Sequence, residues 1–146
     1  MKKVIVILMI VLSGSSLAFA QDWKVDLDEA KEIATEEGKA IVLVFQGSDW
    51  CAPCIKLDRD IWRSDAFKAY ADDHFVMLQA DFPRRKQNAL SESQVAANAQ
   101  LAETYNKRGG FPFVVVLDSD GNVLGETGYK KATPEEYIEV LNSFVK

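Results

Sequence analysis

The run Ile41-Val42-Leu43-Val44-Phe45 breaks at Gly47-Ser48-Asp49 and delivers the chain's two cysteines, Cys51 and Cys54, to the start of a helical pattern. A continuous apolar, β-branched run marks a strand buried on both faces, so the pair stands where a central strand hands over to a helix. In an open α/β sheet that carboxyl edge is where sites are held. The two intervening residues close almost no loop, so a disulfide between these cysteines would add little stability. A structural zinc site needs four ligands, commonly a second Cys pair or two His, and the chain offers His74 alone. Haem attachment needs His directly after the second Cys, where Ile55 stands. Thiol:disulfide exchange is the leading reading, with a redox-inert structural pair and metal handling as its alternatives.

The remaining pattern supplies the frame. Leu27, Ala30, Ile33 and Ala34 share one face of a predicted helix over residues 26–37, with acids in its first turn and Gly38 at its end. A helix is predicted from 51 to 62 and a short one over 65–72. A second strand follows over 75–80, then a polar loop containing Arg84-Arg85-Lys86, which reads as a solvated tip. A helix over 92–106 closes at Gly109-Gly110. Strands over 113–117 and 123–127 flank the hairpin signal Asp118-Ser119-Asp120-Gly121-Asn122. Thr133 and Pro134 open the last helix as N-cap and first residue. Helices between the first three strands imply parallel pairing, and the hairpin makes the last pair antiparallel. The expected architecture is α/β, one mixed sheet with helices on both faces.

The first twenty of the 146 residues have a different character: Lys2-Lys3, an apolar stretch from Val4 to Leu12, and an Ala18-Phe19-Ala20 end. This is the pattern of a cleaved secretory signal, with an uncleaved anchor as its alternative. No Cys follows the small residues Ser13-Gly14, so a lipid anchor is not expected. Residues 21–146 form the expected single domain. They hold fifteen basic and 22 acidic side chains, a formal charge of −7. That balance argues against a nucleic-acid partner and suggests partners with neutral or basic surfaces. No apolar stretch of membrane length follows Ala20. Export places the cysteines in an oxidising compartment, the periplasm in a Gram-negative bacterium and otherwise the medium.

Trp50-Cys51-Ala52-Pro53-Cys54 between strand and helix, with Gly110-Phe111-Pro112 before a later strand, resembles the thioredoxin superfamily over residues 26–144. More narrowly, Phe45 to Trp50 and Phe75 to Asp81 are similar to exported thioredoxin-like proteins and to the C-terminal domain of the DsbD interchange protein. Position alone makes Cys51 the nucleophile, because a helix N-terminus favours a thiolate, and Cys54 the resolving thiol one turn inside. The resemblance implies a thioredoxin-like fold, no cofactor, and a cis Phe111–Pro112 bond facing the disulfide. It also implies that Trp50, Ala52, Pro53, Phe111 and Pro112 border the substrate. Trp50 as a core residue is the alternative. Phe111 is bulkier than the usual residue before that proline; it either narrows access or offers an apolar contact.

One departure concerns the proton. Thioredoxin keeps a buried Asp some six residues before its first Cys, whereas Val44 and Phe45 occupy the matching stretch here. Asp49 is the nearest carboxylate and reads as a solvated turn residue, which leaves proton transfer to water. Trp23 and Trp62 read as packing residues, His74 as a surface or cap residue, and Lys56 and Arg59 as a solvated helix face. The expected function is an exported thiol:disulfide oxidoreductase acting on protein thiols and disulfides, more reductant or isomerase than oxidant because Ala-Pro is nearer the Gly-Pro of reducing thioredoxins. It implies a membrane-embedded electron donor. The rivals are a binding module that docks a partner at the proline face without turnover and a Cu(I) carrier with Met77 or His74 as added ligands.

Overall fold

The computed structural model describes residues 21–146; the expected signal sequence, residues 1–20, lies outside them. The elements in order are β1 (Trp23–Lys24), α1 (Leu27–Glu37), β2 (Ala40–Gln46), α2 (Ala52–Leu57), α3 (Asp65–His74), β3 (Phe75–Asp81), α4 (Glu92–Tyr105), β4 (Phe113–Leu117), β5 (Val123–Gly128) and α5 (Pro134–Asn142). The strands form one mixed sheet in the order β1-β3-β2-β4-β5. β2 and β3 are parallel, with Ala40 beside Phe75 and Gln46 beside Asp81.

Alternation along β2 explains the two layers. Ala40, Val42 and Val44 point to a core closed by Leu57, Ile61, Trp62, Phe67 and Tyr137, under α2, α3 and α5. Ile41, Leu43 and Phe45 point to the opposite core, closed by Ala30, Ala34 and Leu101 of α1 and α4. Burial on both faces is what a continuous apolar strand requires. Caps fix the helix starts: Asp26 accepts from the Glu29 amide, and Thr133 and Glu136 form a reciprocal capping box on α5.

Three expectations change. The strand over 113–117 is antiparallel to β2, with Phe45 opposite Phe113. A parallel crossover needs its helix to carry the chain to the far edge of the sheet. Here the middle of α4 is tied to the carboxyl end of β3, Asn98 Nδ2 donating to the Asp81 carbonyl at 2.8 Å, and the chain re-enters at that same edge. The polar start contains β1, two residues long and parallel to β3. It is too short for a periodic signal, and Trp23 secures it by an edge-on contact with Trp62. The helix expected over 51–62 is α-helical only to Leu57, then widens to a π-helical stretch, Asp58–Trp62. Within that stretch Ile61 and Trp62 are both buried.

Candidate active site

Cys51 and Cys54 are joined in a disulfide, their Cα atoms 5.2 Å apart. Cys51 is the N-cap of α2, and its Sγ accepts a hydrogen bond from the Cys54 amide at 3.3 Å. A sulfur so placed receives one of the free N–H groups of the first turn, the kind of donor that stabilises a thiolate there. Both cysteines are buried in this oxidised state, whereas Ala52 and Pro53 are exposed beside them.

Trp50 is fixed from several sides. Its Nε1–H donates to the Phe82 carbonyl at 2.7 Å, the Phe111 ring meets it edge-on at 5.6 Å, and the Arg84 guanidinium lies 3.7 Å from its ring centre. Gly47 lies against the indole, where a Cβ would overlap the ring. Trp50 is half-buried.

Two carboxylates lock the loop before Cys51 to the loop after β3. Asp81 accepts from the Ser48 amide at 2.9 Å and the Ser48 hydroxyl at 2.6 Å. Asp49 accepts from the Arg84 amide, the Arg85 amide and Asn88 Nδ2, each at 2.9 Å. Asp49 is therefore a clamp rather than a solvated turn residue. The Arg84 amide chiefly, then the Asn88 side chain and the Arg85 amide, hold its carboxyl down at about 2. The reading of Arg84-Arg85-Lys86 as a free loop tip changes with it, because two of these residues give their amides to Asp49. A separation of 35 residues gives a single sequence no sign of this contact.

Phe111 and Pro112 arrive at the same edge, immediately before β4, and their peptide bond is cis, as the resemblance implies. The Phe111 ring packs edge-on against both Trp50 and Phe82. The turn that delivers it depends on Asn106, which sequence reasoning passes over. Asn106 is buried, its Nδ2 donates to the Gly110 carbonyl at 2.9 Å, and its Oδ1 accepts from the Gly110 amide at 3.0 Å. An Asn closing a helix four residues before a Gly is the sign that could have revealed it.

Behind Cys54 lies a cleft of about 500 Å³ bordered by Gln46, Asp58, Trp62, Gln79 and Asp81. Gln46 Nε2 donates to Gln79 Oε1 at 3.1 Å. The positions matched to thioredoxin's buried Asp, Val44 and Phe45, are apolar core, and the carboxylates on the Cys54 side come instead from Asp58 and Asp81.

Other singled-out residues lie elsewhere. Trp62 is a core residue packed on Trp23, Phe67 and Tyr137. His74 ends α3 at the opposite edge of the sheet, its ring stacked on Tyr70 at 3.8 Å. Met77 is buried within β3, so neither proposed copper ligand stands beside the pair. Arg59 is exposed and pairs with Asp60, and Lys56 is exposed with its Nζ 5.6 Å from the Tyr129 ring centre. No helix among the described residues is long and apolar enough to cross a membrane.

Known proteins resemble this chain in sequence and fold. A family described as thioredoxin-like matches residues 22–119. The disulfide bond reductase DsbH of Chlamydia pneumoniae is 36% identical over 118 residues, 81% of this chain and 69% of that protein. A solved structure of a DsbH oxidoreductase has a TM-score of 0.80 at 34% identity, covering 88% of this chain and 86% of the other. The oxidised C-terminal domain of Neisseria meningitidis DsbD has a TM-score of 0.52 at 20% identity, covering 80% and 88%, a likeness of fold alone. The match over residues 22–119, together with the strand order and the place of the Cys pair in it, makes this chain a member of the thioredoxin-like family.

Proposed function

We propose that this protein is an exported thiol:disulfide oxidoreductase that reduces or rearranges disulfides in polypeptides through Cys51 and Cys54. The observation that carries the reading is the disulfide at the N-terminus of α2, with Cys51 Sγ accepting the Cys54 amide. The DsbH likeness supports the reductive direction, since the relative at 36% identity is named a disulfide bond reductase.

In the reduced protein the Cys51 thiolate attacks one sulfur of a substrate disulfide. That S–S bond breaks, the leaving thiolate takes up a proton, and a mixed disulfide forms. Cys54 then loses its proton toward the cleft that Asp58 and Asp81 border, and attacks Cys51 Sγ. The second substrate thiol leaves and the Cys51–Cys54 disulfide forms. The substrate has gained two electrons and two protons; the protein has given up two electrons and the Cys54 proton, and solvent supplies the second proton, the one Cys51 released on ionising. A dithiol donor must restore them, and for an exported protein that donor is membrane-embedded. Trp50, Ala52, Pro53, Phe111 and Pro112 border the substrate, and the chemistry uses no cofactor. Residues 21–146 act as one domain after removal of residues 1–20, in the periplasm of a Gram-negative cell or outside another.

Reduction of insulin disulfides with dithiothreitol as donor tests the reading. Wild-type protein accelerates it and Cys51→Ser does not; equal rates overturn the enzyme and favour a docking module. The potential of the pair against glutathione then sets the direction. A value near thioredoxin's, about −270 mV, marks a reductant, and one near DsbA's, about −120 mV, an oxidant.

A further inference from the structure

Among the described residues, exposed cations without ion-pair partners cluster on the loops around the disulfide. Four loops meet at the carboxyl edge around the disulfide: residues 47–51, 82–91, 106–112 and 129–133. They carry Arg84-Arg85-Lys86, Lys107-Arg108 and Lys130-Lys131; the acids nearest them are Asp81 at the end of β3, Asp58 beside the cleft, Glu92, Glu135 and Glu136 in the first turns of α4 and α5, Asp26 before α1, and Asp49 within the loops. The oxygens of Asp49 are taken up by two backbone amides and Asn88. All seven cations are exposed, and none makes an ion pair among the described residues. At the opposite edge, α1 ends in Glu36-Glu37, α3 carries Asp72-Asp73 in its last turn, and the β4–β5 hairpin holds Asp118 and Asp120.

Position turns this rim into a recognition surface. Arg84 is stacked on Trp50, the neighbour of Cys51. The Asp49 clamp fixes the backbone of residues 84 and 85, and the Asn106–Gly110 pair fixes the turn after Lys107-Arg108. Lys130 and Lys131 follow Gly128, which pairs with Phe113 at the head of β4. Ordered cations of one sign around a reactive centre concentrate oppositely charged reactants there. The net charge of −7 repels long polyanions, so the rim suits a short acidic segment. A polypeptide with a few carboxylates beside its cystine meets the positive edge first.

We propose that the rim formed by these three cationic loops selects polypeptide disulfides flanked by Asp or Glu. This rests on the oxidoreductase reading and reverses, at this edge, the expectation that an acidic chain favours neutral or basic partners.

Three synthetic peptides with the same disulfide loop and flanks of Glu, Gln or Lys test it. Each is mixed with protein reduced by dithiothreitol and desalted, and second-order rate constants are measured at low and high salt. At low salt the Glu peptide reacts about tenfold faster than the Lys peptide, with the Gln peptide between, and the differences collapse in high salt as screening removes the field. Arg85→Glu, Lys86→Glu and Lys130→Glu together invert the order; the wild-type ranking decides the matter even if that variant does not fold. Equal rates on the three peptides, or a ranking that salt leaves untouched, overturn the rim alone. A protein that reduces none of them overturns the oxidoreductase reading and the rim with it.

Discussion

Asp49 Oδ1 accepts the backbone amide of Arg84 at 2.9 Å across 35 residues of chain. Through this contact and its companions from Arg85 and Asn88, the loop before Cys51 and the loop after β3 become one unit. The depressed carboxyl of Asp49, usually 3.8 and here about 2, ties that unit to pH. Its folded value lies below its unfolded one, so its contribution is whole above about pH 4 and is lost as pH falls toward 2. Asp49→Asn keeps the shape and removes the charge. The variant melts below wild type at pH 7, and the gap narrows below pH 4 until it closes near pH 2. A gap that stays constant across this window excludes Asp49 as the clamp.

Gly47 and Gly125 separate packing from activity. A Cβ on either overlaps an aromatic ring, that of Trp50 for Gly47 and that of Phe144 for Gly125. Such overpacking costs about 1–3 kcal/mol, so Gly47→Ala and Gly125→Ala lose stability to similar degrees in urea. Only Gly47→Ala displaces the ring beside Cys51. It slows peptide-disulfide reduction, while Gly125→Ala, measured below its transition, reacts like wild type. Equal slowing in both variants separates Trp50's position from the rate.

Much of this molecule was legible in its sequence, and the gaps share one cause. Local chemistry carries through: the β2 run, the Thr133 cap, the Asp118–Asn122 hairpin and the Cys51–Cys54 junction are each set by residues within a few positions of one another. What did not carry through depends on contacts between distant segments. The two-residue β1 is anchored by Trp23 packing on Trp62, and β4, antiparallel to β2, follows a helix that Asn98 ties to the end of β3. At the site, a motif marks the cysteines and Phe111–Pro112. Asp49 stands out only as the nearest carboxylate, and its clamp, like the roles of Asp81 and Asn106, consists of hydrogen bonds to backbone groups that no residue type announces.

Asn106 offers a direct test of how the turn before Phe111 is held. Asn106→Ala leaves both the N–H and C=O of Gly110 without their side-chain partner, a loss of about 1–3 kcal/mol in stability. The same change loosens the turn that places Phe111 against Trp50. We expect KM for a disulfide peptide to rise while the reduced protein reacts with a small aromatic disulfide at an unchanged rate. A parallel fall in both reactions means that the variant disturbs the Cys51 junction itself.

The division of labour between the two thiols gives the last prediction. Cys51 caps α2, so attack begins there; Cys54 lies one turn inside, next to the cleft, and completes the exchange. Removing the second step without the first stops the reaction at the mixed disulfide. Cys54→Ser, reduced and mixed with a disulfide peptide, therefore gains the mass of one peptide chain, and dithiothreitol releases it. Cys51→Ser gains none on the same time scale, because its remaining thiol is buried. Equal adducts on the two variants mean that either sulfur can start the reaction. An adduct on Cys51→Ser alone reverses the assignment and makes Cys54 the nucleophile.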